Sequence, residues 1–186
     1  MKARPTGNQG EVLLQVNRND EGMLEAASSG TPAAAFKIRQ ILVPVDFSEC
    51  SKKALRYAVA LAREHEAAIT VMHAVPTDYA LGEYGGINYA TLEKELTASA
   101  DRHLAALLVD EVRGKVVSET LVRTGSPAAT IAAVAKQLPA DIVVIATHGR
   151  TGLKHFLLGS VAEHVVRSAP CPVLVVRERE REILLK

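Results

Sequence analysis

The chain has 186 residues, a formal net charge of +1 and 48% hydrophobic content. That length suits one domain with an appendage, the near-zero charge gives no reason to expect nucleic acid or an anionic membrane as partner, and no apolar run approaches the roughly 18–20 residues of a membrane span. Met1–Asp20 has no apolar stretch of the secretory kind, and Cys50 and Cys171 lie far apart without metal-ligand spacing, so the expectation is a globular protein of a reducing compartment, the cytoplasm.

Residues 1–36 combine Gly7, Gly10, Gly22, Ser28, Ser29, Gly30 and Pro32 with one short apolar patch, Val12-Leu13-Leu14. They read as a flexible N-terminal extension, with the patch available to pair with a sheet edge or dock on the domain. From Lys37 the pattern becomes regular. Ile41–Val45 is a buried strand in length and composition, and Ser48 followed by Glu49 signals a helix start. Ser51–His65 carries Ala54, Leu55, Ala58, Leu61 and Ala62 at helical spacing, and Ala67–Val75 is the next strand. Strand, helix, strand makes a parallel crossover unit.

Thr77–Ala90, with three Tyr and three Gly, reads as a mobile loop. A longer amphipathic helix runs from Leu92 to Val112, and Lys115–Arg123 is a β-branched third strand. Ser126 suits an N-cap and Pro127 the first helical position, of a helix ending near Pro139. Asp141–Ala146 is a strand, Thr147–Gly159 a glycine-containing connection, Ser160–Ser168 a helix and Pro172–Arg177 a last strand. Aromatics are 4% of the chain and Trp is absent, so the core must be Ala, Val, Leu and Ile, as in helices packed on a parallel sheet. This alternation predicts an α/β fold with helices on both faces.

Chemistry concentrates in two turns that follow strands: Pro44-Val45-Asp46-Phe47-Ser48, and Ala146-Thr147-His148-Gly149-Arg150-Thr151-Gly152 continuing to Leu158-Gly159-Ser160. Open α/β sheets bind ligands at the carboxyl ends of strands where the strand order reverses. Gly149 and Gly159 let backbone approach an anion, and Ser160 and Val161 would offer N–H groups at a helix N-terminus. Asp46 could accept a ribose hydroxyl or lie near phosphate-bound Mg²⁺. The same residues also admit plainer readings: the glycines serve the turn, Ser160 or Asp46 caps a helix, and His148 and His155 are surface turn residues.

These two blocks, extended by Leu153, by Leu157–Glu163 and by Ala169-Pro170-Cys171-Pro172-Val173-Leu174-Val175-Val176, resemble the universal stress protein family from about Lys37 to Arg177. Residues 1–36 lie outside the resemblance, and 178–186 form a charged tail. The resemblance implies an open, doubly wound, five-stranded parallel sheet of order 3-2-1-4-5, Rossmann-like and similar to adenine nucleotide alpha hydrolases. Nucleotide-binding members carry Gly-x2-Gly-x9-Gly followed by Ser or Thr. Gly149, Gly159 and Ser160 match that signature, while Ala146 replaces the first glycine; its methyl could crowd the ribose or phosphates, or be tolerated if φ stays negative.

By the same resemblance, Pro44, Val45 and Asp46 border adenosine and Ala74 lies under the adenine. Ile145 to Gly149, including Ala146 and His148, line the ribose and phosphate side, and Gly159, Ser160 and Val161 hold phosphates. A homodimer through the last strand, Val173–Val176, is also implied. The expected function is an ATP-binding stress-response regulator, with Mg²⁺ arriving on the phosphates and protein partners not named by the sequence. Neither GxxxxGK[ST] nor GxSxG is present, so enzymatic activity is at most slow ATP hydrolysis or self-phosphorylation on Ser160 or Thr151. The alternative, supported by Ala146, is a nucleotide-free dimer acting through protein partners.

Overall fold

The computed structural model describes residues 2–5, 12–15, 37–77, 89–148 and 158–181. The chain divides into two units, Met1–Phe36 and Lys37–Lys186. In the first, β1 (Lys2–Pro5) pairs antiparallel with β2 (Val12–Gln15), Lys2 opposite Gln15 and Pro5 opposite Val12. The Val12–Leu14 patch therefore finds a strand partner in Lys2–Pro5. Lys2–Pro5 offered no readable signal, because four residues containing a proline are too short to show a period.

The second unit runs β3 (Gln40–Pro44), α1 (Glu49–His65), β4 (Ala68–Val75), α2 (Tyr89–Leu107), β5 (Ser118–Thr124), α3 (Pro127–Gln137), β6 (Ile142–Ala146), α4 (Ser160–Ser168) and β7 (Val173–Val176). Its sheet is parallel with order β5-β4-β3-β6-β7, which is 3-2-1-4-5 counted within the unit. Most boundaries shift by one to three residues from the sequence reading, because ends are decided by individual hydrogen bonds. The helix expected to run on to Val112 instead ends in a π-helical turn, Leu108–Val112, closed by Arg113 at φ 53°. The predicted loop at Thr77–Ala90 falls outside the described residues except at its two ends.

Strand alternation divides the core. Ile41, Val43, Ile69, Val71 and Val144 pack on one face against Leu55 and Val59 of α1 and Leu104 and Leu107 of α2. Leu42, Met72, Val143 and Ile145 face the other way, onto Ile131 and Val134 of α3 and Ala162 and Val165 of α4. Each fully buried aliphatic side chain contributes about 1.5–3 kcal/mol, so both helical layers are held chiefly by apolar burial. Among the described residues no helix is long and apolar enough to cross a membrane.

Polar groups set the register at the amino edge. Gln40 Nε2 donates to Thr70 Oγ1, and Thr70 Oγ1 donates to Glu119 Oε1, both at 2.7 Å, linking three strands. Asp141 Oδ2 accepts the N–H groups of Arg39 and Gln40 at 2.7 and 2.9 Å, while its own N–H donates to the Gln40 carbonyl at 2.9 Å. Both cysteines are free; burial, and then the Asp141 charge, pushes the Cys171 thiol above its ordinary range.

Asp141→Ala leaves the N–H groups of Arg39 and Gln40 without their carboxylate. It is expected to lower stability by about 1–3 kcal/mol, read as a reduced urea midpoint at unchanged slope. An unmoved midpoint would show that water replaces the carboxylate at no cost.

Candidate functional site

The two central strands separate at their carboxyl ends. β3 pairs with β6 at Ile41–Ile142 and Leu42–Val143 and no further. On the outer sides, pairing continues through Pro44–Met72 and through Ala146–Val176. Pro44 has no N–H to donate, and the chains leaving β3 and β6 enter helices on opposite faces, α1 on one and α4 on the other. The parting opens a cavity of about 420 Å³, within the roughly 300–1,000 Å³ of small-molecule sites.

One lip of the cavity is the turn from β3 into α1. Ser48 is the N-cap: its hydroxyl accepts from Ser51 N–H at 3.2 Å and donates to Asp46 Oδ1 at 2.6 Å, and Ser48 N–H reaches the same oxygen at 3.1 Å. Ser48 is therefore the cap, and Asp46, the alternative, holds the cap residue without capping the helix itself. Between them Phe47 adopts φ 66°, a conformation uncommon for a bulky residue. Its ring lies against His73 and His103, centroids 4.6 and 5.4 Å away, and His73 Nδ1 is 2.7 Å from the Val45 carbonyl. A carbonyl only accepts, so that nitrogen carries the proton.

The opposite lip joins β6 to α4. Gly159 is the N-cap of α4, without a side-chain cap hydrogen bond, and Ser160 is the first helical residue; Ser160 is therefore not the cap. Gly159 N–H donates to the Thr147 carbonyl at 2.7 Å. A Cβ on Gly159 would stand 2.8 Å from that same oxygen, so the glycine is required by close backbone approach; its φ of −71° imposes no such need. Thr147 is 2% exposed, its N–H donates to the Val176 carbonyl at 2.9 Å, and its hydroxyl meets His148 Nδ1 at 3.0 Å.

The cavity brings together Pro44, Val45, Asp46, Ala74, Ile145, Ala146, His148, Gly159, Ser160 and Val161. Gly149, with Thr151 and His155, lies outside the described residues. Ala146 is a strand residue of ordinary φ, and its methyl joins the buried cluster on the α1 face. Thr147, within the expected range Ile145 to Gly149, lines it too, and so do Ser51, His73, Pro76, Pro127, Ile131 and Ala162, which the sequence reading did not assign to the site. Pro127 and Ile131 were within reach, since α3 starts at the carboxyl edge of β5. Ser126 stands at the cap position before Pro127 but makes no side-chain cap hydrogen bond. Among the described residues no group of three His, Cys, Asp or Glu could hold a metal ion.

A doubly wound sheet with a cavity at its switch point is the α/β architecture in which small ligands bind at the carboxyl ends of strands. Residues 37–177 match the profile of the Universal stress protein family, and the chain belongs to that family. It is similar to the universal stress protein MJ0531 of Methanocaldococcus jannaschii, 32% identical over 146 residues, covering 77% of this chain and 85% of that protein. The solved structure of the hypothetical protein MJ0577 superposes with a TM-score of 0.68 at 27% identity, covering 77% of this chain and 99% of that one. Universal stress protein UspA from Lactobacillus plantarum gives 0.65 at 28% identity, covering 76% and 99%.

Gly159→Ala is expected to destabilise the domain by about 1–3 kcal/mol, the usual cost of overpacking, because a backbone oxygen must move. Urea unfolding checks it. A midpoint equal to that of the parent chain would mean that the β6–α4 junction yields freely.

Proposed function

We propose that the cavity binds an adenine nucleotide, ATP, and that the protein acts as a nucleotide-dependent regulator in the stress response. The observation that carries this reading is the composition of the cavity: apolar walls at one end and, at the other, a helix N-terminus with no side-chain cap among the described residues. Pro44, Val45, Ala74 and Ile145 offer a slot for a flat base with little hydrogen-bonding competition from side chains. Asp46, held by Ser48, stands where a carboxylate can accept a ribose hydroxyl. The N–H groups of Ser160 and Val161 and the positive end of the α4 dipole suit phosphate oxygens, and Gly149 joins them on sequence spacing alone.

Ala146 lines the cavity but is only 8% exposed and belongs to the buried cluster on the α1 face, which supports tolerance of its small side chain. The described residues fit a nucleotide but not a resident metal: Mg²⁺ would travel with the phosphates and keep much of its water. We further propose a homodimer through β7, whose Val173, Leu174 and Val175 are only half-buried on an edge strand, a surface that invites pairing when left bare.

The test is to purify the protein without added nucleotide, denature it and resolve the supernatant by anion exchange at 260 nm, followed by dialysis against ATP with Mg²⁺. Near-stoichiometric ATP or ADP, or saturable uptake in dialysis, is expected, and Ala74→Leu should abolish both by filling the base slot. An empty supernatant with no uptake would move the protein to the nucleotide-free class. For the dimer, sedimentation should show two copies for the parent chain and one for Val175→Lys. A parent chain that sediments as a monomer at micromolar concentration would end that proposal.

A further inference from the structure

Helix α1 contributes Ser51 to the cavity wall, and its next turns grip the chain that leaves β7. Lys53 is only 5% exposed, and its ammonium donates to the main-chain carbonyls of Glu178, at 2.9 Å, and of Glu180. Tyr57, one turn further along the same face, donates its hydroxyl to the Arg181 carbonyl at 2.6 Å. All three acceptors are backbone oxygens, so the grip is indifferent to the side chains it holds, and Arg177, Glu178, Arg179 and Arg181 are left exposed. An ion pair between Arg177 and Glu180 and a 3.1 Å bond from Glu180 N–H to the Arg177 carbonyl fold the segment into a turn.

The root of this segment is tied to the opposite lip of the cavity. The Val176 carbonyl accepts Thr147 N–H at 2.9 Å, and the Cys50 thiol approaches it at 3.8 Å. Residues 177–181 are thus anchored at one end to β6, through Thr147, and along their length to α1, through Lys53 and Tyr57. Thr147 lines the cavity, and α1 reaches it through Ser51, two residues before Lys53.

We propose that residues 177–181 are a strap whose docking on α1 is coupled to occupancy of the cavity; the coupling rests on the reading of that cavity as an adenine-nucleotide site. A buried ammonium is costly unless well paired. Two carbonyls of the strap accept from it, and undocking returns ammonium and carbonyls together to water, so the loss of these bonds is offset by rehydration. A ligand with a preference for the docked state moves the balance between the two. A ligand that touches Ser51 on α1 and the Thr147–Ser160 lip holds both anchors in place and favours docking. Linkage requires the reverse as well: a strap that cannot dock weakens ligand binding by the same factor.

Trypsin reads the strap directly, since it cleaves after Arg177, Arg179 and Arg181. Loss of the C-terminal residues from the full chain is followed by intact mass, with and without saturating ATP and Mg²⁺, while dialysis measures ATP bound. ATP is expected to slow this cleavage about fivefold, the low end of ordinary coupling. Lys53→Met should speed cleavage without ligand and remove most of the protection while ATP still binds. Tyr57→Phe should act in the same direction and serves if Lys53→Met does not fold. Bound ATP with unchanged cleavage overturns the strap, as does cleavage in the variants equal to that of the parent chain. ATP that fails to bind overturns the cavity reading, and the coupling with it, and dialysis tells that failure from the first.

Discussion

The parting of β3 and β6 after Leu42 and Val143 is the constraint on which the rest depends. Two parallel strands whose chains leave for opposite faces cannot stay paired to their ends, because each must turn toward its own helix. The cavity is the space left between them. Its walls are consequently backbone turns and helix starts, with N–H groups and small residues at the surface. Such walls favour a ligand with a flat apolar part and an anionic part.

That parting has to be made rigid, and different chemistry does so on each side. On the β3 side, Ser48 caps α1 and is itself held by Asp46, while the Phe47 ring packs against two histidines. On the β6 side, Thr147 fixes its N–H on β7 and its carbonyl on Gly159. Thr147 thereby links the last strand, the cavity and the start of α4. The amino edge of the sheet is closed in contrast, stitched by Asp141 and by the Gln40–Thr70–Glu119 chain. A sheet locked at one edge and split at the other places its binding chemistry at the split.

The roles of two residues changed once their neighbours were visible. Ala146, a departure from the nucleotide-binding signature, places its methyl in the core by strand alternation. Gly159, matched to that signature as a phosphate glycine, is needed first for the approach of its own backbone to Thr147. Both follow from contacts between segments distant in the folded chain or separated by a loop, and neither is encoded in local spacing.

The local pattern was sufficient for the strand–helix alternation and the helices on both faces, because apolar period, Gly and Pro punctuation and cap residues are properties of short windows; the sheet order and most of the expected lining residues of the cavity came with the family resemblance. The β1–β2 pairing, the π-helical turn after α2 and the grip of Lys53 and Tyr57 on residues 178–181 were not legible there. Lys53 takes no part in the apolar spacing of α1, and only packing shows it buried against carbonyls more than a hundred residues away. The sequence by itself determined the fold class, the family and which turns face the switch point, since these rest on residue type and order. Only the tertiary structure decided which atoms meet across that point, because hydrogen bonds and close approaches depend on distances that a one-dimensional pattern does not contain.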